Sequence, residues 1–196
     1  MIFPKDRDLS KEIITLAVPV IIGNLSRVFM GLADMAMVGR LGIDALAATG
    51  MGAMLVWILI TFSLGLRTGT QTVASRRLGQ KKFSGCGTAM HNGIMMALLY
   101  GLPASATGYF FAEETVPFFL SGNAGTLSQE YAKIASLSVL FTSIGFIFQG
   151  FFTGIEKTEY HMKVTVASNV LNVYLNAGLI YGSENLKEMF SNIYGM

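Results

Sequence analysis

Asp34 is a carboxylate set within the first of several long apolar stretches of the chain. An ionised carboxylate there costs roughly 3 kcal/mol or more, and intramembrane carboxylates mark ion or proton pathways. Towards the other end, Asn172 and Asn176 stand at i and i+4 on one face of a candidate helix, with Asn169 three residues before. Carboxylate and amide oxygens suit hard cations. Asp34, Asn172 and Asn176 therefore form a candidate cation or proton site; Na⁺ is one occupant the donor set would accept, and no dedicated metal centre is read. The alternative is that the asparagines only hydrogen-bond neighbouring helices, as polar side chains commonly do in membrane bundles.

Two arginines lie close enough in sequence to matter. Arg27 precedes Asp34 by seven residues, about 10 Å along a helix axis and on nearly the same face. A cation there favours the charged form of Asp34 and competes with a bound metal ion. Alternatively, Arg27 pairs with an inner-side group or snorkels into a cavity. Arg67, in Gly65-Leu66-Arg67-Thr68-Gly69-Thr70-Gln71-Thr72, falls midway along the second apolar stretch and must face protein or water. It is either polar glue between helices or part of an inner gate. Gly65 with Gly69, and Gly150 with Gly154, have the small-xxx-small spacing that lets helices approach closely.

Other chemistries find no foothold. His91 and His161 lack ligand partners at metal spacing, and no phosphate loop, nucleophile elbow or paired-carboxylate arrangement occurs. No enzyme activity and no cofactor are expected. Cys86, the single cysteine, sits between two glycines and reads as a small packing residue. No basic stripe is interleaved with aromatics, so nucleic acid is not an expected partner.

The elements that must position these residues are membrane helices. The chain is 52% hydrophobic and 13% charged, against about 25% charged in a soluble domain. A span needs roughly 20 apolar residues, and residues 13–38, 46–74, 89–111, 134–152 and 164–181 meet that test. The connections are 39–45, 75–88, 112–133 and 153–163. Pro19 and Pro103 lie inside spans, where membrane helices tolerate them. Lys5, Arg7 and Lys11 precede the first stretch like a signal n-region, but its apolar run outlasts a cleavable h-region of about 15 residues. The expected fold is all-α, a polytopic bundle of about five spans over residues 1–182, followed by a polar tail at 183–196.

Orientation follows from Lys and Arg placement. With the N-terminus cytoplasmic, the inner side holds Lys5, Arg7, Lys11, Arg76, Arg77, Lys81, Lys82, Lys157 and Lys163; the outer side holds Arg40, Lys133 and Lys187. The first and fifth spans then both run outward. At about 1.5 Å per residue, Asp34 and Asn176 come to similar depth in the outer half.

These residues carry a resemblance. Ala17-Val18-Pro19-Val20-Ile21-Ile22, Asp34, Val38-Gly39-Arg40-Leu41-Gly42 and Ala45-Leu46-Ala47-Ala48 are similar to the opening of multidrug and toxic compound extrusion (MATE) transporters. Gly65, Gly69-Thr70-Gln71 and Arg76-Arg77-Leu78-Gly79-Gln80-Lys81 resemble that family's second helix and inner loop. Asn169-Val170-Leu171-Asn172 and Asn176-Ala177-Gly178-Leu179-Ile180-Tyr181-Gly182 resemble its fifth helix. The resemblance implies two six-helix lobes around a cavity, alternating access, and efflux of organic cations driven by Na⁺ or H⁺ across the inner (plasma) membrane. It places the family's first-helix aspartate on Asp34 and its fifth-helix polar pair on Asn172 and Asn176. Some members have aspartate where Asn176 stands, and small or uncharged residues are common where Arg27 stands. It also implies small organic substrates and a second lobe, absent here, as partners. Two other readings remain: a non-transporting scaffold or assembly module, and a lipid-linked sugar flippase of the same superfamily.

Overall fold

The computed structural model describes residues 7–181; the tail read at 183–196, and Lys5 and Lys187 of the charge count, lie outside them. Among the described residues the fold is all-α. The helices are α1 (Arg7–Gly39), α2 (Ile43–Gly79), α3 (Phe83–Thr115), α4 (Gly122–Ser136), α5 (Ser138–Gly154) and α6 (Thr158–Tyr181). They divide into two compact units, one of α1 with α6 from Met162 onward, the other spanning residues 43–161.

Three spans stand out by themselves: Ile13–Gly39, Ile43–Gly79 and Phe83–Phe118 are long and apolar enough to cross a membrane. The pair α4 and α5, bent by 46°, makes a fourth if counted as one broken span. α6 has the length, 24 residues or about 36 Å. It falls short on hydropathy, and Asn169, Asn172 and Asn176 are the reason. The expected fifth span is a polar-faced helix that needs a partner.

The connection expected over 112–133 is mostly helix. α3 runs on to Thr115, a 3₁₀ turn covers Val116–Phe118, and α4 starts at Gly122. α4 buries Ala124, Ser128, Ala132 and Ser136, one small residue every four positions and hence one face. A low-hydropathy stretch thus becomes a helix by close packing. It meets α5 at Leu137, where the chain bends. Ser136 Oγ donates to the Ala132 carbonyl and Ser138 Oγ to that of Ala135, each at 2.6 Å. Such local bonds compete with the backbone ladder and bend helices. The new helix start leaves amides without partners, and Ser105 of α3 supplies one: the Leu140 N–H donates to Ser105 Oγ at 3.1 Å. Ser105→Ala is expected to destabilise the bundle by about 1–3 kcal/mol, the cost of an unsatisfied buried donor. Thermal unfolding in detergent measures it.

Along α3, inside the second unit, small residues face inward and large apolar ones outward. α3 buries Cys86, Ala89, Gly93, Ala97, Gly101, Ala104 and Ala112, while Leu99 and Phe110 are each 72% exposed. Lipid tails are as apolar as leucine, so burial of large side chains drives nothing there and close backbone packing does. A Cβ on Gly93 would lie 2.6 Å from Thr70 Oγ1, and one on Gly101 3.0 Å from Leu140 Cα. Polar links join the same helices: Ser63 and Ser143 hydroxyls meet at 2.6 Å, fully buried, and Tyr100 donates to the Leu59 carbonyl. Cys86 is buried, its Sγ donating to the Ala74 carbonyl at 3.5 Å, as a packing residue should be.

The two glycine pairs part company. Gly150 and Gly154 of α5 press on α2: a Cβ on Gly150 would lie 2.3 Å from the Arg67 carbonyl oxygen, and one on Gly154 2.6 Å from that of Gln71. Gly65 and Gly69 meet nothing within 4 Å. The close helix contact expected at Gly65 and Gly69 is not made among the described residues.

α2 and α5 end in the same way. Lys82 N–H donates to the Arg77 carbonyl at 3.0 Å and Lys81 N–H to that of Leu78 at 2.8 Å; Lys157 to Phe152 and Glu156 to Thr153 repeat the pattern. This is the Schellman motif, whose left-handed position is usually glycine. Here Lys81 (φ 57°) and Glu156 (φ 61°) occupy it. Glu156→Gly is expected to stabilise the chain by about 1 kcal/mol, the left-handed penalty of a side chain, read as a raised unfolding midpoint.

Candidate functional site

Asp34 and Asn176 meet. Asn176 Nδ2 donates to Asp34 Oδ1 at 2.7 Å and to Asn172 Oδ1, also at 2.7 Å. One amide thus bridges the carboxylate of α1 and the neighbouring amide of α6, with Asp34 half-buried. Asn169 Nδ2 donates to Ser26 Oγ at 2.8 Å. The two interhelix bonds pair Ser26 with Asn169 and Asp34 with Asn176, so positions on α1 and α6 rise together and the helices run parallel. The spacing agrees: eight residues on α1 amount to about 12 Å of rise and seven on α6 to about 10.5 Å. At the start of the pair, Gly23 is buried and a Cβ there would sit 3.9 Å from the Met162 backbone. A Cβ at that distance would be in ordinary van der Waals contact.

Asn169, Asn172 and Asn176 share one face because their spacings are three and four residues. That face meets the one on α1 carrying Ser26 and Asp34. Ser26 is a member of the polar seam that residue type alone does not reveal. Its cue is position, two turns before Asp34 as Asn169 is two turns before Asn176.

The arginines stand apart from this contact. Arg27 is exposed, and among the described residues no ion pair joins it to Asp34. Two turns of helix are more than it bridges. Arg67 lies half-buried on α2, its carbonyl and Cγ against Gly150 of α5. His91 is exposed, and no cluster of three or more metal-ligating side chains occurs among the described residues.

Comparison with known proteins agrees with this architecture. The MatE family profile matches residues 19–177. The chain is 27% identical over 179 residues to a probable multidrug resistance protein NorM of Bradyrhizobium diazoefficiens, covering 91% of this chain and 38% of the relative. It is 26% identical to the multidrug resistance protein PmpM of Pseudomonas aeruginosa, with the same two coverages. A solved structure described as an outward-facing conformation of a multidrug resistance MATE family transporter superposes with TM-score 0.81 at 25% identity, covering 87% of this chain and 38% of that one. The chain therefore spans 38% of the length of these relatives. With a match over most of its residues and the same helical fold, the chain belongs to the MatE family of multi-pass membrane transporters.

Proposed function

We propose that the protein takes part in secondary active efflux of small organic, often cationic, compounds, coupled to inward flow of Na⁺ or H⁺, with Asp34, Asn172 and Asn176 as the coupling site. The observation that carries this is the contact of Asn176 Nδ2 with Asp34 Oδ1 at 2.7 Å, inside the parallel pair of α1 and α6. In that arrangement Asn176 donates to two oxygens at once. Turning its amide over replaces the donor by Oδ1, and three oxygens, from Asp34, Asn172 and Asn176, then face one point. An arriving cation is met by acceptors; a proton instead neutralises Asp34 and weakens its hold on the Asn176 amide. Either event changes the bond that ties α1 to α6. The relatives named for multidrug resistance support the substrate class.

The Lys and Arg bias supports a cytoplasmic N-terminus in the plasma membrane. The whole transporter would need a second bundle against which this one rocks. The test uses full-length protein in liposomes with an imposed Na⁺ or pH gradient and a cationic dye. Dye movement that follows one gradient identifies the ion; movement indifferent to both removes the proposal.

A further inference from the structure

A groove runs along one face of α2. Near the end of the helix a cavity of about 270 Å³ is lined by Thr72, Val73, Arg76, Arg77 and Gln80. Sharing Val73 with it, a second cavity of about 260 Å³ extends along α2 and α3 past Gly65, Leu66, Gly69 and Met96. Gly65, Gly69, Thr72, Val73, Arg76 and Gln80 fall on one side of the helix by their spacing. The contacts of α5 are at Arg67, Gln71 and Ala74, on the opposite side. Nothing within 4 Å stands where a Cβ of Gly65 or Gly69 would be, so the glycines leave the groove open at hydrocarbon depth.

Charge selects the occupant. Arg76, Arg77, Lys81 and Lys82 crowd the turn after α2, and no Asp or Glu occurs between Asp44 and Glu113. Among the described residues Arg76, Lys81 and Lys82 have no ion-pair partner; Arg77 makes a 3.4 Å contact with Gln80 Oε1. The backbone beneath is pinned by the Schellman bonds of Arg77 with Lys82 and Leu78 with Lys81. A cluster of four or more cations beside a membrane helix attracts anionic lipid. A free phosphate would use the cations alone and leave the apolar cavity unexplained. We infer that the Arg76–Arg77 cavity holds the phosphate headgroup of an anionic phospholipid whose acyl chain lies in the groove along Gly69 and Gly65.

The experiment compares the full-length protein in nanodiscs of phosphatidylcholine with and without phosphatidylglycerol, following thermal unfolding and the binding of labelled phosphatidylglycerol. Phosphatidylglycerol is expected to raise the midpoint, and the double change Arg76→Gln, Arg77→Gln to weaken its binding roughly thirtyfold. Gly69→Leu keeps every cation but fills the groove. It is expected to weaken phosphatidylglycerol binding about tenfold, the scale of displacing a buried apolar segment, while leaving any effect of inorganic phosphate unchanged. Should the arginine variant fail to fold, native mass spectrometry of the unaltered protein decides, with retention of phosphatidylglycerol over phosphatidylcholine expected. Equal stabilisation by the two lipids overturns the inference. So does inorganic phosphate matching phosphatidylglycerol with Gly69→Leu silent, or a segment of protein found seated in the groove.

Discussion

Asp34→Asn is expected to reduce gradient-driven dye export by the full-length protein to the level of empty liposomes. The substituted amide keeps an oxygen where Oδ1 was, so the bond from Asn176 Nδ2, now 2.7 Å long, has an acceptor still. What is lost is the charge. A neutral side chain neither takes up a proton nor repays a cation for leaving water, and the site can bind neither coupling ion tightly. Stability is expected to change little, by about 1 kcal/mol, the difference between a charge-assisted and a neutral hydrogen bond. That asymmetry makes the result diagnostic: unfolding in detergent stays near that of the unaltered protein while transport vanishes. Undiminished export by a well-folded Asp34→Asn protein would remove Asp34 from the coupling step.

Gly150→Leu is expected to have the largest effect on stability. A Cβ at Gly150 falls 2.3 Å from the Arg67 carbonyl oxygen and 3.1 Å from its carbonyl carbon. Both are backbone atoms, which cannot swing aside as a side-chain tip does. α5 must retreat from α2, and the Gly154 contact with Gln71 opens with it. Overpacking of this kind costs about 3 kcal/mol or more, and Gly150→Ala is expected to reach about 2 kcal/mol. Gly145 is the control on the same helix, because a Cβ there meets nothing within 4 Å. Gly145→Ala should be neutral or stabilising by up to about 1 kcal/mol, from the poor helix propensity of glycine. Equal midpoints for the Gly145→Ala and Gly150→Ala proteins would show that α2 and α5 are not in the tight contact described.

The contact of Asp34 with Asn176 is legible in the sequence for two physical reasons. Carboxylates and amides are too costly in hydrocarbon to be casual, and the constant rise of a helix turns residue counts into depth. Composition likewise suffices for an all-α membrane fold. Ser26 is not legible, because a serine hydroxyl can bond back to its own helix and so carries no demand for a partner. α4 escapes notice for a related reason. Ala124, Ser128, Ala132 and Ser136 are too small and polar to register as apolar, yet they suit the close packing that α4 makes, as their burial shows.

The four glycines draw the boundary most sharply. Gly65 with Gly69 and Gly150 with Gly154 have the same spacing, but one pair is pressed against a backbone and the other stands open. By itself the sequence determined that the chain is a helical membrane protein, that its polar groups would gather on α1 and α6, and where helices could approach. Which helix arrives at which glycine, and where the broken span bends, only the tertiary structure decided. Missing Cβ atoms permit an approach from any side, and a helix packed against one face of α2 cannot also fill the opposite one.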